Sequence, residues 1–282
     1  MKTLKNKPAY FLMAGIILSM FAFCSSNAEN RVANTPSLFV NGITATSVEF
    51  PPAEASTVKS ALENAHNSGK AVFVVVSGNG VPGTEKAVSI AEKAKTIYKN
   101  AVLLQMNRDD AANAQLVNEW RLSGAPLPLI LVVSPKGILT GGRILAQATA
   151  ENIASLVPSP KKEAVLEQMT SGKSVFLLVS KKGMAKKSEQ LSTCQKACFE
   201  MKENAKVIEI DLDDPLENAF LSELKISQNI TEPLTYVINS SGQITGTFNG
   251  EANTAILVAS AKKVITSSCC PAGSAQTCAP AK

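Results

Sequence analysis

A single histidine, a single tryptophan and only six cysteines in 282 residues leave this chain few ways to do chemistry. His66 stands just before a Gly-Lys turn, where a solvated or capping role is its simplest reading, and no serine-histidine-acid set or carboxylate cluster argues for hydrolysis. The glycine-rich stretch SGNGVPG from Ser77 follows an apolar run, but it lacks the Lys-Ser/Thr of a phosphate-binding loop and reads as a turn. Charge is scarce as well, at 18% of residues and a net +5, which gives nucleic acid no basic surface to hold.

Long apolar runs are missing except near the start. Lys2, Lys5 and Lys7 precede the apolar residues 9–23, and Ser26-Asn27-Ala28 follows. Charge, apolar core and small residues in that order predict a secretory signal peptide, residues 1–28, because the run is shorter than the roughly 20 residues that span a bilayer. Cleavage near Ala28 makes the protein an exported one, periplasmic in a bacterium, with no transmembrane segment in the mature chain. Lipid attachment at Cys24 is the alternative, with Phe23 standing where a lipoprotein signal has a small residue. Processing removes three lysines and leaves the mature chain near +2. Residues 29–56 form an extension with too little periodicity to assign beyond a short strand or two.

The rest of the chain repeats. SGKAVFVVVS from Ser68 matches SGKSVFLLVS from Ser171 at an offset of 103. Downstream, NAVLLQMNRDD from Asn100 faces NAKVIEIDLDD from Asn204, and PLILVVSPKG from Pro128 faces PLTYVINSSG from Pro233, at offsets of 104 and 105. A period of this length means tandem domains, since solenoid repeats recur every 20 to 50 residues or so. Each copy runs in the same order. A helix-patterned segment (57–67; 162–170) precedes a strand apolar on every residue (71–76; 174–179), as suits a sheet covered on both faces. A second helix (84–98; 186–202) and a second strand (102–106; 206–212) complete a βαβ unit with parallel strands. An Asp-Asp pair opens a third helix (111–120; 215–224), where carboxylates suit the positive end of the helix dipole. A proline-initiated strand, a glycine turn, a short strand and a last helix follow.

That order of elements resembles the thioredoxin-like fold, an α/β class with a central mixed sheet flanked by helices. The resemblance implies two tandem domains, 57–157 and 162–266, joined by a Pro-Ser-Pro linker over 158–161, with a flexible cysteine-containing tail at 267–282. It also implies that Pro128 and Pro233 are cis prolines beside the place where the family keeps its active-site thiols. The family's Cys-x-x-Cys stands at the end of the first strand, where a helix N-terminus lowers a thiol's pKa. This chain has Ser77-Gly78-Asn79-Gly80-Val81 and Ser180-Lys181-Lys182-Gly183-Met184 at those places, with no sulfur that could attack.

Cys194 and Cys198 are four apart, similar in spacing to the copper site of the copper-delivery members of the family, but they lie well inside the second helix of copy two. Subtracting 104 maps Leu191, Cys194, Cys198 and Met201 onto Ala87, Ile90, Ala94 and Ile97, an apolar stripe, so both cysteines read as buried core thiols that react slowly. Cys269, Cys270 and Cys278 stand among serine, alanine, glycine and proline, with no apolar face to offset the entropy of ordering. Adjacent cysteines rarely bridge each other, so one of the pair can close onto Cys278 and leave an odd thiol, the alternatives being a soft-metal clamp by all three, a mixed disulfide with another protein, or a reach back to Cys194 and Cys198. The tail therefore serves soft-metal binding, with Cu(I) or Zn as the thiophilic cofactor, or thiol exchange with another exported protein. The reading is a non-enzymatic binding or scaffold protein. Its alternative is a thiol-disulfide oxidoreductase or copper-handling protein that uses Cys194 and Cys198 with the tail.

Overall fold

The computed structural model describes residues 57–265; the expected signal peptide with Cys24, the 29–56 extension and the tail cysteines lie outside the described residues. The first half runs α1 (Val58–Asn67), β1 (Ala71–Ser77), α2 (Thr84–Ile97), β2 (Ala101–Asn107), α3 (Ala114–Glu119), β3 (Leu129–Val133), β4 (Leu139–Ile144) and α4 (Ala150–Ala154). The second half repeats it as α5 (Pro160–Thr170), β5 (Ser174–Ser180), α6 (Lys187–Glu200), β6 (Ala205–Asp211), α7 (Asn218–Glu223), β7 (Leu234–Ile238), β8 (Ile244–Asn249) and α8 (Thr254–Lys262). Each half is a four-stranded sheet, ordered β2-β1-β3-β4 and β6-β5-β7-β8. The first two strands of each pair in parallel and the last two antiparallel. These are two tandem thioredoxin-like domains. No described helix is long and apolar enough to cross a membrane.

The all-apolar central strands feed two cores each, as strand alternation requires. Val72, Val74 and Val76 face α1 and α3, whereas Phe73 and Val75 face the alanine stripe Ala87, Ala91 and Ala94 of α2. In the second half Val175, Leu177 and Val179 face α5 and α7, and Phe176 faces α6 and α8. The third helices are each led in by a 3-10 turn that Asp110 and Asp214 cap, accepting hydrogen bonds from the backbone N–H of Ala112 and Leu216. The second aspartate of each Asp-Asp pair thus works as the N-cap.

Two expectations change. Helix α5 begins at Pro160 with Ser159 as its N-cap, so the expected 158–161 linker is mostly helix start; proline at the first helical position has its φ preset and no N–H to lose. Among the described residues Leu127–Pro128 is the one cis peptide bond, and Pro233 follows a trans bond. Trans is the ordinary preference of an X–Pro bond, and Glu232 ahead of Pro233 ion-pairs with Lys186 where copy one has the apolar Leu127 packed on its core.

The halves meet through α5. Glu163 accepts a hydrogen bond from the Lys136 backbone N–H at 2.8 Å, and Lys136 Nζ pairs with Glu167. Glu217, only 1% exposed, accepts from Ser159 Oγ at 2.6 Å and from the Lys161 N–H at 2.9 Å. His66 is exposed, and its Nδ1 donates to the Pro135 carbonyl at 2.9 Å, tying α1 to the turn after β3.

Candidate functional site

The resemblance looks for thiols at the C-terminal ends of β1 and β5 and the helix starts that follow, and in both halves polar contacts occupy that place. In the first half the Asn79 N–H donates to Asp109 Oδ2 at 2.7 Å, Asn107 Nδ2 donates to Asn79 Oδ1 at 2.8 Å, and the Asp109 N–H donates to Asn107 Oδ1 at 3.0 Å. The loop lies so close to this cluster that a Cβ on Gly78 would come within 2.9 Å of Asp109 Oδ2. The glycine is there for close approach rather than for phosphate binding.

In the second half lysines take the same place and are paired with acids. Lys181 reaches Asp213 at 3.5 Å, and Lys186, the left-handed N-cap of α6, reaches Glu232 at 3.3 Å and Glu251 at 3.2 Å. Donation of hydrogen bonds from its ammonium to the Glu251 and Glu232 carboxylates, together with their charges, raises the Lys186 pKa. Neither half places a thiol at these helix starts.

Helix α6 carries the cysteines, and its phase corrects the sequence alignment. Both helices begin after a left-handed N-cap, Gly83 and Lys186, and end on Tyr98 and Met201, so the offset through the helix is 103. The buried residues Gln190, Cys194 and Ala197 therefore stand where Ala87, Ala91 and Ala94 do, and Cys198 stands at the position of Lys95. The inserted residue lies after the helix, where Lys202 and Glu203 have φ of 49° and 66°. With 3.6 residues per turn a slip of one rotates every position by about 100°. That rotation is why Cys194 is fully buried and Cys198 only half-buried, where the sequence reading put both in the core.

Burial pushes the Cys194 thiol up to about 11, with the neighbouring Cys198 and Glu209 adding to the rise and a hydrogen bond from Thr235 opposing it. Burial also raises Cys198, against the pull of Lys206. A thiol must ionise to attack. Both are poor nucleophiles near neutrality.

Sequence reasoning missed the polar group around Cys194. Gln190 Nε2 donates to Thr235 Oγ1 at 3.0 Å, Gln190 Oε1 accepts from the Ala252 N–H at 3.2 Å, and Gln190 and Thr235 are 2% and 0% exposed. The first half has Ala87 and Ile130 at these positions. Part of the signal was present in the repeat, where Thr235 faces Ile130 at the offset of 105, but the replacement of Ala87 by Gln190 becomes visible only at the helix offset of 103. Thr235→Val should cost about 1–3 kcal/mol by stranding the Gln190 amide, and adding Gln190→Ala should recover part of that loss. Urea unfolding of the two single variants and the double would show the coupling; strictly additive losses would mean that the pair does not act as a unit.

Beside the same helix a shallow groove of about 940 Å³ runs along α6 and the edge strand β6, lined by Lys173, Leu191, Cys198, Phe199, Lys206 and Val207 among others. Phe199 is 86% exposed there, where the first half has Thr96. Among the described residues no three histidine, cysteine, aspartate or glutamate side chains gather as a metal site.

No protein-family model and no curated protein matches the chain. Among solved structures it is similar to the first two thioredoxin domains of Eps1p from Naumovozyma dairenensis, at 12% identity and a TM-score of 0.30, over 79% of this chain and all of that one. The corresponding domains of Saccharomyces cerevisiae Eps1p match at 14% identity and a TM-score of 0.28, over 77% of this chain and 99% of that one. Zinc-bound human ERp44 matches at 11% and 0.31, over 73% of this chain and 56% of that one. The fold assignment rests on the strand order and pairing described above.

Proposed function

We propose that this is an exported tandem thioredoxin-like binding protein. Its two domains position it against another exported protein, and its C-terminal thiols Cys269, Cys270 and Cys278 capture a soft metal ion or exchange disulfides. One observation carries the reading. At both helix starts where the fold supports dithiol chemistry, the chain builds a closed hydrogen-bonded turn or an ion-paired lysine loop instead of a thiol pair. The reactive sulfur is then left to the tail, which has the small neutral composition of a tether. Three thiolates on one short segment are a donor set for Cu(I) or Zn. The competing reading, an oxidoreductase or copper carrier centred on Cys194 and Cys198, needs the Cys194 thiol to ionise and reach solvent, against a pKa near 11 and full burial.

Removing residues 267–282 tests the proposal. The truncated protein, kept reduced, should hold its thermal midpoint within a degree or two, because it loses no residue of the four cores. It should lose Cu(I) and Zn binding in a competition titration and lose mixed-disulfide formation with oxidised glutathione. Retention of both activities by the truncated chain would overturn the assignment to the tail.

A further inference from the structure

An open sheet ends in strands whose outer N–H and C=O groups lack a ladder partner, and β6 is such an edge in the second half. The ladder shows which of its groups face outward. The Ser174 N–H donates to the Asn204 carbonyl at 2.9 Å and the Leu212 N–H to the Ser180 carbonyl at 3.0 Å, so β5 bonds to the even-numbered residues of β6. The alternate residues, Ala205, Val207 and Glu209, then turn their N–H and C=O away from β5, and among the described residues nothing partners them. The Asp211 carbonyl, next in that series, accepts from the Asp214 N–H and closes the edge. The chain passes from α4 into α5 through residues 155–159 without forming a strand that could cover β6. The register of β6 on β5 is unbroken, whereas the opposite edge, β8, carries a register shift of the kind that blunts an edge.

We infer that β6 is the edge through which two copies of this chain pair, its strands running antiparallel about a two-fold axis at Val207 and joining two four-stranded sheets into one. Centred there, Val207 exchanges hydrogen bonds with Val207 of the partner subunit, and Ala205 does so with Glu209 of the partner subunit. Every outward N–H and C=O of these residues is then satisfied. The inference goes beyond the binding role proposed above and does not involve the tail.

Charge favours a second copy over an unrelated strand. At the Ala205 end of the groove Lys173, Lys202 and Lys206 outnumber Glu200 and Glu203. At the other end the balance reverses. Glu209 pairs with Lys187 and Asp213 with Lys181, and Asp211 has no cation paired with it among the described residues. An antiparallel copy lays each acid-rich end on the lysine-rich end of its partner, twice over, whereas a parallel copy would set like on like. The face that carries α6 supplies apolar contact. Because the axis stands perpendicular to the joined sheet, α6 of both copies lies on the same face beside it, and the groove walls Leu191, Phe199 and Val207 turn toward the partner. Phe199, 86% exposed in one copy, has the most apolar surface to bury.

Sedimentation equilibrium tests this on the whole processed chain, held in reductant and a metal chelator so that the tail thiols cannot bridge copies. The mass should be twice that of the monomer at about 100 µM and fall toward the monomer on dilution. Phe199→Glu changes an exposed side chain and should raise the dimer Kd roughly tenfold or more. Glu209→Pro removes an outward N–H but no bond to β5, so it should leave a monomer with unchanged circular dichroism. Glu209→Ala keeps that N–H and should remain largely dimeric. Amide hydrogen exchange locates the edge: Ala205, Val207 and Glu209 should exchange slowly when concentrated and fast when dilute, while Lys206 and Ile208 stay protected throughout. A monomer at about 100 µM, or a dimer undiminished by either Phe199→Glu or Glu209→Pro, would overturn the inference. So would slow exchange of the three outward amides at every concentration, which would mean that another segment of the same chain covers the edge.

Discussion

Phe176→Ala should destabilise the second domain by about 3–5 kcal/mol, the cost of emptying a core position that cannot collapse. Phe176 is fully buried at the centre of β5 and shares its core with Cys194 and Ala197 of α6, Leu257 of α8 and Val237 of β7. Phe73 is its counterpart in the first half, equally buried against the alanine stripe of α2, and Phe73→Ala should cost the same. The protein supplies its own domain-specific probe. Its single tryptophan, Trp120, packs on the core of the first half. In urea, Phe176→Ala should shift the main circular-dichroism transition to lower denaturant and move the Trp120 fluorescence midpoint much less; Phe73→Ala should do the reverse. Equal shifts of both probes in both variants would show instead that the contacts of Glu163 and Glu167 with Lys136 make the halves unfold as one body.

A second large effect should appear in alkali. The sign follows from Cys194, whose folded pKa near 11 lies above an ordinary thiol value of 9.0. Below pH 9 both folded and unfolded states keep the proton, and the group contributes no pH dependence. Above it the unfolded thiol ionises while the buried one cannot, so stability falls as pH rises and the loss is complete near pH 11. The total is about 2–3 kcal/mol for a shift of this size. Cys194→Ala, which restores the residue that the first half has at Ala91, should remove that part of the slope. Unfolding free energies of both proteins at pH 8 and pH 10.5 give the comparison, with the other alkaline groups cancelling in the difference. Identical slopes would mean that Cys194 ionises freely in the folded state.

Both predictions depend on α6, where sequence and structure part company. The two copies are legible as a repeat because buried parallel strands tolerate only apolar residues, so AVFVVV and SVFLLV remain recognisable at any reasonable register. A helix is less constrained. Its buried side is a narrow stripe of small residues in one copy and a mixture of Gln190, Cys194 and Ala197 in the other, and such a stripe does not announce its own phase. The site was visible in the sequence mainly as a lack, with no thiol after either first strand. What replaced the thiol pair, the Asn79–Asp109 turn and the Lys186–Glu232–Glu251 cluster, joins residues from separate loops.

By itself the sequence determined the duplication, the order of elements, the α/β class and the missing dithiol, because each is carried by local pattern or by the plain identity of residues. Only the tertiary structure decided that α6 aligns at 103, that Cys198 rather than Cys194 meets a groove, that Gln190 and Thr235 pair in the core, and that Pro233 is trans while Pro128 is cis. The physical reason is common to all four. Where a one-residue insertion settles, and what a side chain meets once a helix is laid on a sheet, depend on contacts between segments far apart in the chain, and the local sequence does not encode them.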